Sequence, residues 1–164
     1  MKRIQLFEFE DQTWFPHWVR AAMTNLIAVL HRLMGTKAVL AGLIAQARKK
    51  HPFSAIVDMG SGSGGIMPDV LAELNKENKQ APLELMLTDL YPNPQFIRFI
   101  NEQSLPNVQY SAESLDATNL SNTPVGLKTM VASFHHMPPP QAKQILKSAQ
   151  INQQPILIYE IAEN

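Results

Sequence analysis

The sequence predicts an α/β fold, a doubly wound and mostly parallel sheet with helices on both faces and a helical extension at the N-terminus. Three observations carry that expectation. From about residue 53, short apolar runs alternate with helical patterns, as parallel strands joined by crossover helices do. The first run, Ile56-Val57-Asp58, passes at once into the glycine-alternating turn Met59-Gly60-Ser61-Gly62-Ser63-Gly64-Gly65. Polar groups then recur near the carboxyl ends of the runs: Asp58, Asp89, Asp116, the pair His135-His136, and Glu160.

Taken in order, residues 3–9 partly alternate apolar with polar and read as a short strand. The aromatic cluster Trp14-Phe15-Pro16-His17-Trp18 leads into a helix, with Pro16 in its first turn. These aromatics either pack that helix onto the sheet or form a lid over a site. Trp18, Ala22, Leu26, Val29 and Leu33 recur at helical spacing, and Gly35 reads as the stop. Thr36 is placed to cap a second helix, with Val39, Leu40, Leu43, Ile44 and Ala47 on its buried face. Arg48, Lys49 and Lys50 suit its negative end, and His51-Pro52 ends it.

The first strand is expected over residues 54–58, its following helix to about residue 74, and the second strand over 83–89. Asn93-Pro94 supplies an N-cap and an N1 proline for the next helix, with Phe96, Ile97 and Ile100 inward. Strands three, four and five are expected over 108–111, 129–134 and 155–161. Pro140 opens the helix before the last of them, carrying Ile145 and Leu146. The chain thus divides into a helical extension, residues 1–51, and an α/β domain, residues 52–164.

Composition narrows the function. The 164 residues, 45% hydrophobic and 17% charged, suit one globular domain with a real core. Fourteen basic residues balance fourteen acidic ones, so no broad basic surface is offered to nucleic acid. With no cysteine, disulfides, thiolate zinc sites and cysteine nucleophiles are excluded, and no metal is expected. The most hydrophobic stretch, residues 26–47, is broken by His31, Arg32, Gly35 and Lys37, whereas a bilayer span needs roughly 20 mostly apolar residues. Glu8, Glu10 and Asp11 stand where a signal peptide needs an apolar run, so a cytoplasmic protein is expected.

The glycine turn carries the chemistry. A strand that turns sharply into a helix while its backbone lies against a ligand needs residues without Cβ that accept positive φ. The helix beyond opens with N–H groups lacking intrahelical partners and a positive dipole end. Ligands of open α/β sheets bind outside the carboxyl ends of the strands, so a nucleotide-like ligand is expected there. Gly60, Gly62 and Gly65 satisfy G-x-G-x-x-G, the dinucleotide fingerprint, with Asp89 placed for a ribose. A pyrophosphate, however, would sit close to Asp58, an unfavourable meeting of like charges.

Asp58-Met59-Gly60-Ser61-Gly62-Ser63-Gly64 also follows the D-x-G-x-G-x-G pattern of class I S-adenosylmethionine-dependent methyltransferases, and the chain resembles that Rossmann-like family over about residues 53–164. Leu85-Met86-Leu87-Thr88-Asp89, Leu115-Asp116-Ala117 and Met130-Val131-Ala132-Ser133-Phe134-His135-His136 support the resemblance. It implies that Gly60, Ser61, Gly62 and Gly64 pass beside the methionine and ribose portions of S-adenosylmethionine. It implies further that Asp58 orients the amino group of that cofactor and that Asp89 accepts from the ribose hydroxyls. Asp116, in the loop with Leu115 and Ala117, would receive the adenine amino group, with Glu113 and Ser114 as alternatives. Leu115 or Leu90 would pack on the ring.

The reaction implied is in-line methyl transfer to a nucleophilic oxygen, nitrogen or carbon of an unidentified acceptor, a small molecule being favoured. His135 or His136 is the first candidate for a general base, the alternative being a purely structural pair. Two other functions stand beside this one: a non-catalytic domain that keeps the fold, and an NAD-binding oxidoreductase domain. A sulfonium cofactor bearing an ammonium group suits Asp58 better than a pyrophosphate does.

The resemblance stops at strand five, whereas the family usually continues to a sixth strand and a seventh that inserts antiparallel beside the fifth. The expected sheet order is therefore 3-2-1-4-5, with Ile156, Leu157, Ile158 and Ile161 along an open edge. Such an edge invites pairing, which implies a truncated chain, a homodimer across strand five, or cover from residues 4–9.

Overall fold

A computed structural model describes residues 33–77 and 79–160, with Val19, Leu26 and residues 29–31 before them. The expected strand at 3–9, the aromatic cluster at 14–18 and Ile161 lie outside the described residues. The elements run α1 (Thr36–Lys50), β1 (Ala55–Met59), α2 (Met67–Glu77), β2 (Glu84–Thr88), α3 (Pro94–Glu102), β3 (Val108–Tyr110) and β4 (Leu127–Val131). A short 3₁₀ turn (Phe134–His136), α4 (Pro139–Ile151) and β5 (Ile156–Tyr159) follow.

The five strands are all parallel, in the order β3-β2-β1-β4-β5 that the sequence predicts. Parallel strands are covered on both faces and so need apolar side chains on both. In β1, Ile56, Val57 and Met59 meet that requirement and Asp58 alone departs from it. One core joins Leu40 and Ile44 of α1, Val70 and Leu71 of α2 and Ile100 of α3 to Ile56, Leu85, Leu87 and Leu127 of the sheet. A second core joins Ile145 and Ala149 of α4 to Met59, Met130 and Leu120. The chain winds outward from β1 in one direction through β2 and β3, then returns to β4 on the other side. In open sheets of this kind ligands bind where the order reverses, which here is at the carboxyl ends of β1 and β4.

Local chemistry explains several boundaries. Asn93 caps α3, its Oδ1 accepting from Gln95 N at 2.9 Å ahead of Pro94. Gly35, at φ 71°, breaks the helical path before α1, as its position suggests. Thr36, by contrast, does not cap α1. It is buried as the first helical residue and its hydroxyl makes no capping bond. The buried stripe of α1 is Leu40, Ala41 and Ile44, narrower than expected, and Val39 and Leu43 face outward. A helix laid against one layer buries only the residues facing it. Leu146 likewise lies exposed beside the buried Ile145. Among the described residues, no helix is long and apolar enough to cross a membrane.

The fourth strand ends sooner than expected, at Val131. Ala132 adopts φ 51° and turns the chain, so Phe134, His135 and His136 form the 3₁₀ turn instead of continuing the strand.

Candidate functional site

The glycine turn is stitched to the neighbouring strand by hydrogen bonds from its main chain. Gly60, Gly62, Gly64 and Gly65 all have positive φ, which side-chain-bearing residues rarely adopt. A Cβ at Gly64 would stand 3.1 Å from Ile100 Cδ1, and one at Gly60 would stand 3.3 Å from Ser133. Ser61 N donates to Thr88 O at 2.9 Å and Gly64 N to Ser61 O at 2.8 Å. Gly62 N donates to Asp89 Oδ2 at 3.0 Å, and Tyr91 N donates to the other oxygen, Oδ1, at 3.0 Å. Asp89 is thereby fixed at the carboxyl end of β2 by two main-chain donors. Each oxygen keeps a further lone pair.

Asp58 lies below the turn and is buried. Ser61 Oγ stands 2.6 Å from its Oδ2, and Thr129 Oγ1 donates to Oδ1 at 2.6 Å. Burial pushes its carboxyl up to about 6 against the opposing effect of those two hydroxyls, and the charge of Asp89 adds to the rise. Among the described residues, neither Asp58 nor Asp89 forms an ion pair. Two carboxylates with no cation beside them among the described residues make the turn electronegative, which fits a cationic ligand.

The loop after β3 folds onto the loop after β2. Leu115 N donates to Asp89 O at 2.9 Å, and Ser114 Oγ donates to Leu90 O at 2.6 Å. Asp116 Oδ1 accepts from Thr118 N and Oγ1 at 2.8 and 2.7 Å. An open cleft of about 330 Å³ lies here, lined by Leu90, Asp116, Thr118, Pro140, Gln141 and Gln144. The structure thus brings Leu90 and Asp116 together, 26 positions apart in sequence. Leu115 and Ala117 instead pack into the core under α4, and Glu113 is exposed beside Ser111. Thr118, Gln141 and Gln144 carry no motif that could have announced them.

The histidines sit at the end of β4. His135 Nδ1 is 2.7 Å from Glu160 Oε2, while Oε1 accepts from Phe134 N at 2.8 Å and His135 N at 3.2 Å. His136 stacks on His135 with ring centroids 4.1 Å apart. A carboxylate oxygen accepts, so Glu160 Oε2 is placed to take a hydrogen bond from Nδ1–H of His135. The partnership of His135 with Glu160 is a tertiary fact, and the sequence places both at the same sheet edge without pairing them.

No family model and no curated protein matches the chain. Solved structures do. The DszA carbon methyltransferase aligns over 85% of this chain and 40% of its own, at 17% identity and a TM-score of 0.59. The CurJ carbon methyltransferase aligns over 78% and 35%, at 19% identity and a TM-score of 0.56. The trans-methyltransferase CalH, solved in complex with SAH, aligns over 72% and 35%, at 22% identity and a TM-score of 0.53. The chain spans well under half the length of these neighbours. At such identities the likeness speaks to architecture, and this chain has the parallel, Rossmann-like α/β fold of these methyltransferases, as its glycine turn and strand alternation predict.

Proposed function

We propose that the carboxyl edge of this sheet binds S-adenosylmethionine and that the chain directs its methyl group to an acidic carbon. The observation that carries this reading is the state of the turn's amides. Those of Ser61, Gly62 and Gly64 are already spent on Thr88, Asp89 and Ser61, above the buried Asp58. A pyrophosphate needs such donors and would meet two carboxylates. A ligand bearing a sulfonium and an ammonium meets complementary charge, which favours this cofactor over a dinucleotide.

In this reading Asp89 holds the ribose hydroxyls through its remaining lone pairs, and Gly60, Gly62 and Gly64 let the methionine portion lie against the main chain. Asp58 and Ser61 act on the amino group from beneath the turn. Leu90 and Asp116 receive the adenine in the cleft, where Gln141 and Gln144 add amide groups.

S-adenosylmethionine, when bound, supplies the methyl group, and its sulfur keeps the electron pair of the bond that breaks. His135 removes the proton from the acceptor carbon as that carbon attacks. Glu160 holds the ring tautomer and stabilises the imidazolium that forms. CurJ and DszA are named carbon methyltransferases, and a carbon acid needs a base of this kind. His136 confines the ring of His135 by stacking. The remaining contribution is proximity and alignment.

His31 stands on the acceptor side in this reading, its ring 6.3 Å from that of Tyr159, the residue before Glu160. Among the described residues β5 pairs with β4 alone, and a homodimer across its outer edge is one of the three outcomes such an edge invites. Thermal stabilisation by S-adenosylhomocysteine but not by NAD tests the cofactor assignment. Equal shifts, or none, would sink it.

A further inference from the structure

Tyr110 is the largest fully buried side chain among the described residues and reaches across the sheet to the glycine turn. Its hydroxyl donates to Gly62 O at 2.8 Å, spanning 48 positions of sequence. Its own main chain is clamped from both sides, Tyr110 N donating to Asn101 Oδ1 at 2.8 Å and Asn101 Nδ2 donating to Tyr110 O at 3.0 Å. The phenol therefore does not wander. It stands on a strand whose position is fixed by a side chain of α3.

Gly62 is thus held at both of its polar atoms, its amide by Asp89 and its carbonyl by Tyr110. A glycine at φ 53° with no side chain has little else to fix it. Rotation of the peptide after Gly62 would move the turn away from the ligand. It would also loosen the amide that orients the Asp89 carboxylate. The burial of Tyr110 keeps its hydroxyl away from the ligand itself.

We infer that Tyr110 is a positioning residue for the cofactor site, setting the Gly62 peptide and through it the Asp89 carboxylate. This rests on the proposal that the turn binds S-adenosylmethionine. It adds a third element, β3, to a turn that motif reading assigns to β1 and β2 alone.

Y110F removes the donor and keeps the ring. The dissociation constant for S-adenosylhomocysteine, measured by calorimetry on the same chain, is expected to rise about five- to tenfold, since a buried carbonyl is left unpaired. The KM for S-adenosylmethionine should rise with it, while kcat at saturating cofactor and the KM for the acceptor stay within about twofold. A lowered melting temperature with unchanged affinity would mean a structural role only and overturn the inference. Should Y110F be insoluble, N101A frees the Tyr110 main chain without touching the turn. Weaker S-adenosylhomocysteine binding there supports the inference and unchanged binding overturns it. A wild-type chain that ignores S-adenosylhomocysteine overturns the cofactor reading itself, a result distinct from either variant's.

Discussion

His135 and Glu160 meet through both oxygens of one carboxylate: Oε2 stands 2.7 Å from the ring Nδ1, and Oε1 accepts from the His135 main-chain N–H at 3.2 Å. A single side chain thus fixes the ring and the peptide that carries it. If His135 is the base, H135A should lower kcat by about 10²–10⁴ while leaving S-adenosylhomocysteine affinity unchanged. E160Q keeps an acceptor but loses the charge. A charge-assisted bond is worth roughly 1 kcal/mol more than a neutral one, so E160Q alone is expected to lower kcat by about fivefold relative to wild type. Steady-state rates with a carbon-acid acceptor check both, and an active H135A would remove His135 from the reaction.

Asp58 gives the site a pH dependence whose sign can be worked out. Its folded carboxyl is raised to about 6 from the ordinary 3.8, chiefly by burial. The folded state then holds a proton that the unfolded state releases, so stability falls as pH rises between about 4 and 6. D58N should flatten that fall and melt higher than wild type at pH 7. A cationic ligand should reverse the preference, because it favours the ionised form. Affinity for S-adenosylhomocysteine, which keeps the ammonium, should therefore increase as pH rises through 6, and D58N should abolish the increase. Calorimetry at pH 5 and 7 measures it, and a pH-independent wild type would detach Asp58 from the amino group.

Two glycines outside the turn separate fold from function. A Cβ at Gly126 would stand 2.3 Å from Ala55 O, a main-chain atom that cannot yield, at the end of the sheet remote from the turn. G126A should lower the melting temperature severely. Gly42 lies within α1 with nothing within 4 Å of an added Cβ. G42A should stabilise by about 0.5–1 kcal/mol through helix propensity. Denaturant melts would show opposite changes, and any soluble G126A should bind S-adenosylhomocysteine as wild type does.

Much of this architecture is legible in the sequence because its signals are local. Each strand is a short apolar run, Asn93-Pro94 caps its helix as written, and the glycine turn marks the carboxyl end of β1. Asp89 could be placed by its distance from the glycines alone. Other features depend on approach in space. Tyr110 reads as an ordinary strand aromatic until its hydroxyl is seen on Gly62. His135 meets Glu160 only because Ala132 takes a left-handed conformation and ends β4 early, which no glycine announces. Val39 and Leu43 look buried by periodicity, but α1 has one covered stripe and they lie beside it.

Lys128 is the most unexpected core residue and provides the last test. It is fully buried in β4, with Nζ donating to Pro124 O at 2.5 Å and standing 3.3 Å from Gln154 Oε1. Both partners are neutral, so among the described residues no opposite charge offsets the desolvation of the ammonium, and burial lowers its titration to about 8 from 10.5. The unfolded chain therefore binds a proton between pH 8 and about 10.5 that the folded chain does not. Stability contributed by this group rises with pH across that window and is lost as pH falls through it. K128M removes the titration, so its melting temperature should not share the rise seen in wild type between pH 8 and 10. Because Lys128 sits at the end of β4 away from the turn, S-adenosylhomocysteine affinity should be unchanged in K128M. Parallel pH profiles for the two proteins would show that burial does not lower the titration of Lys128.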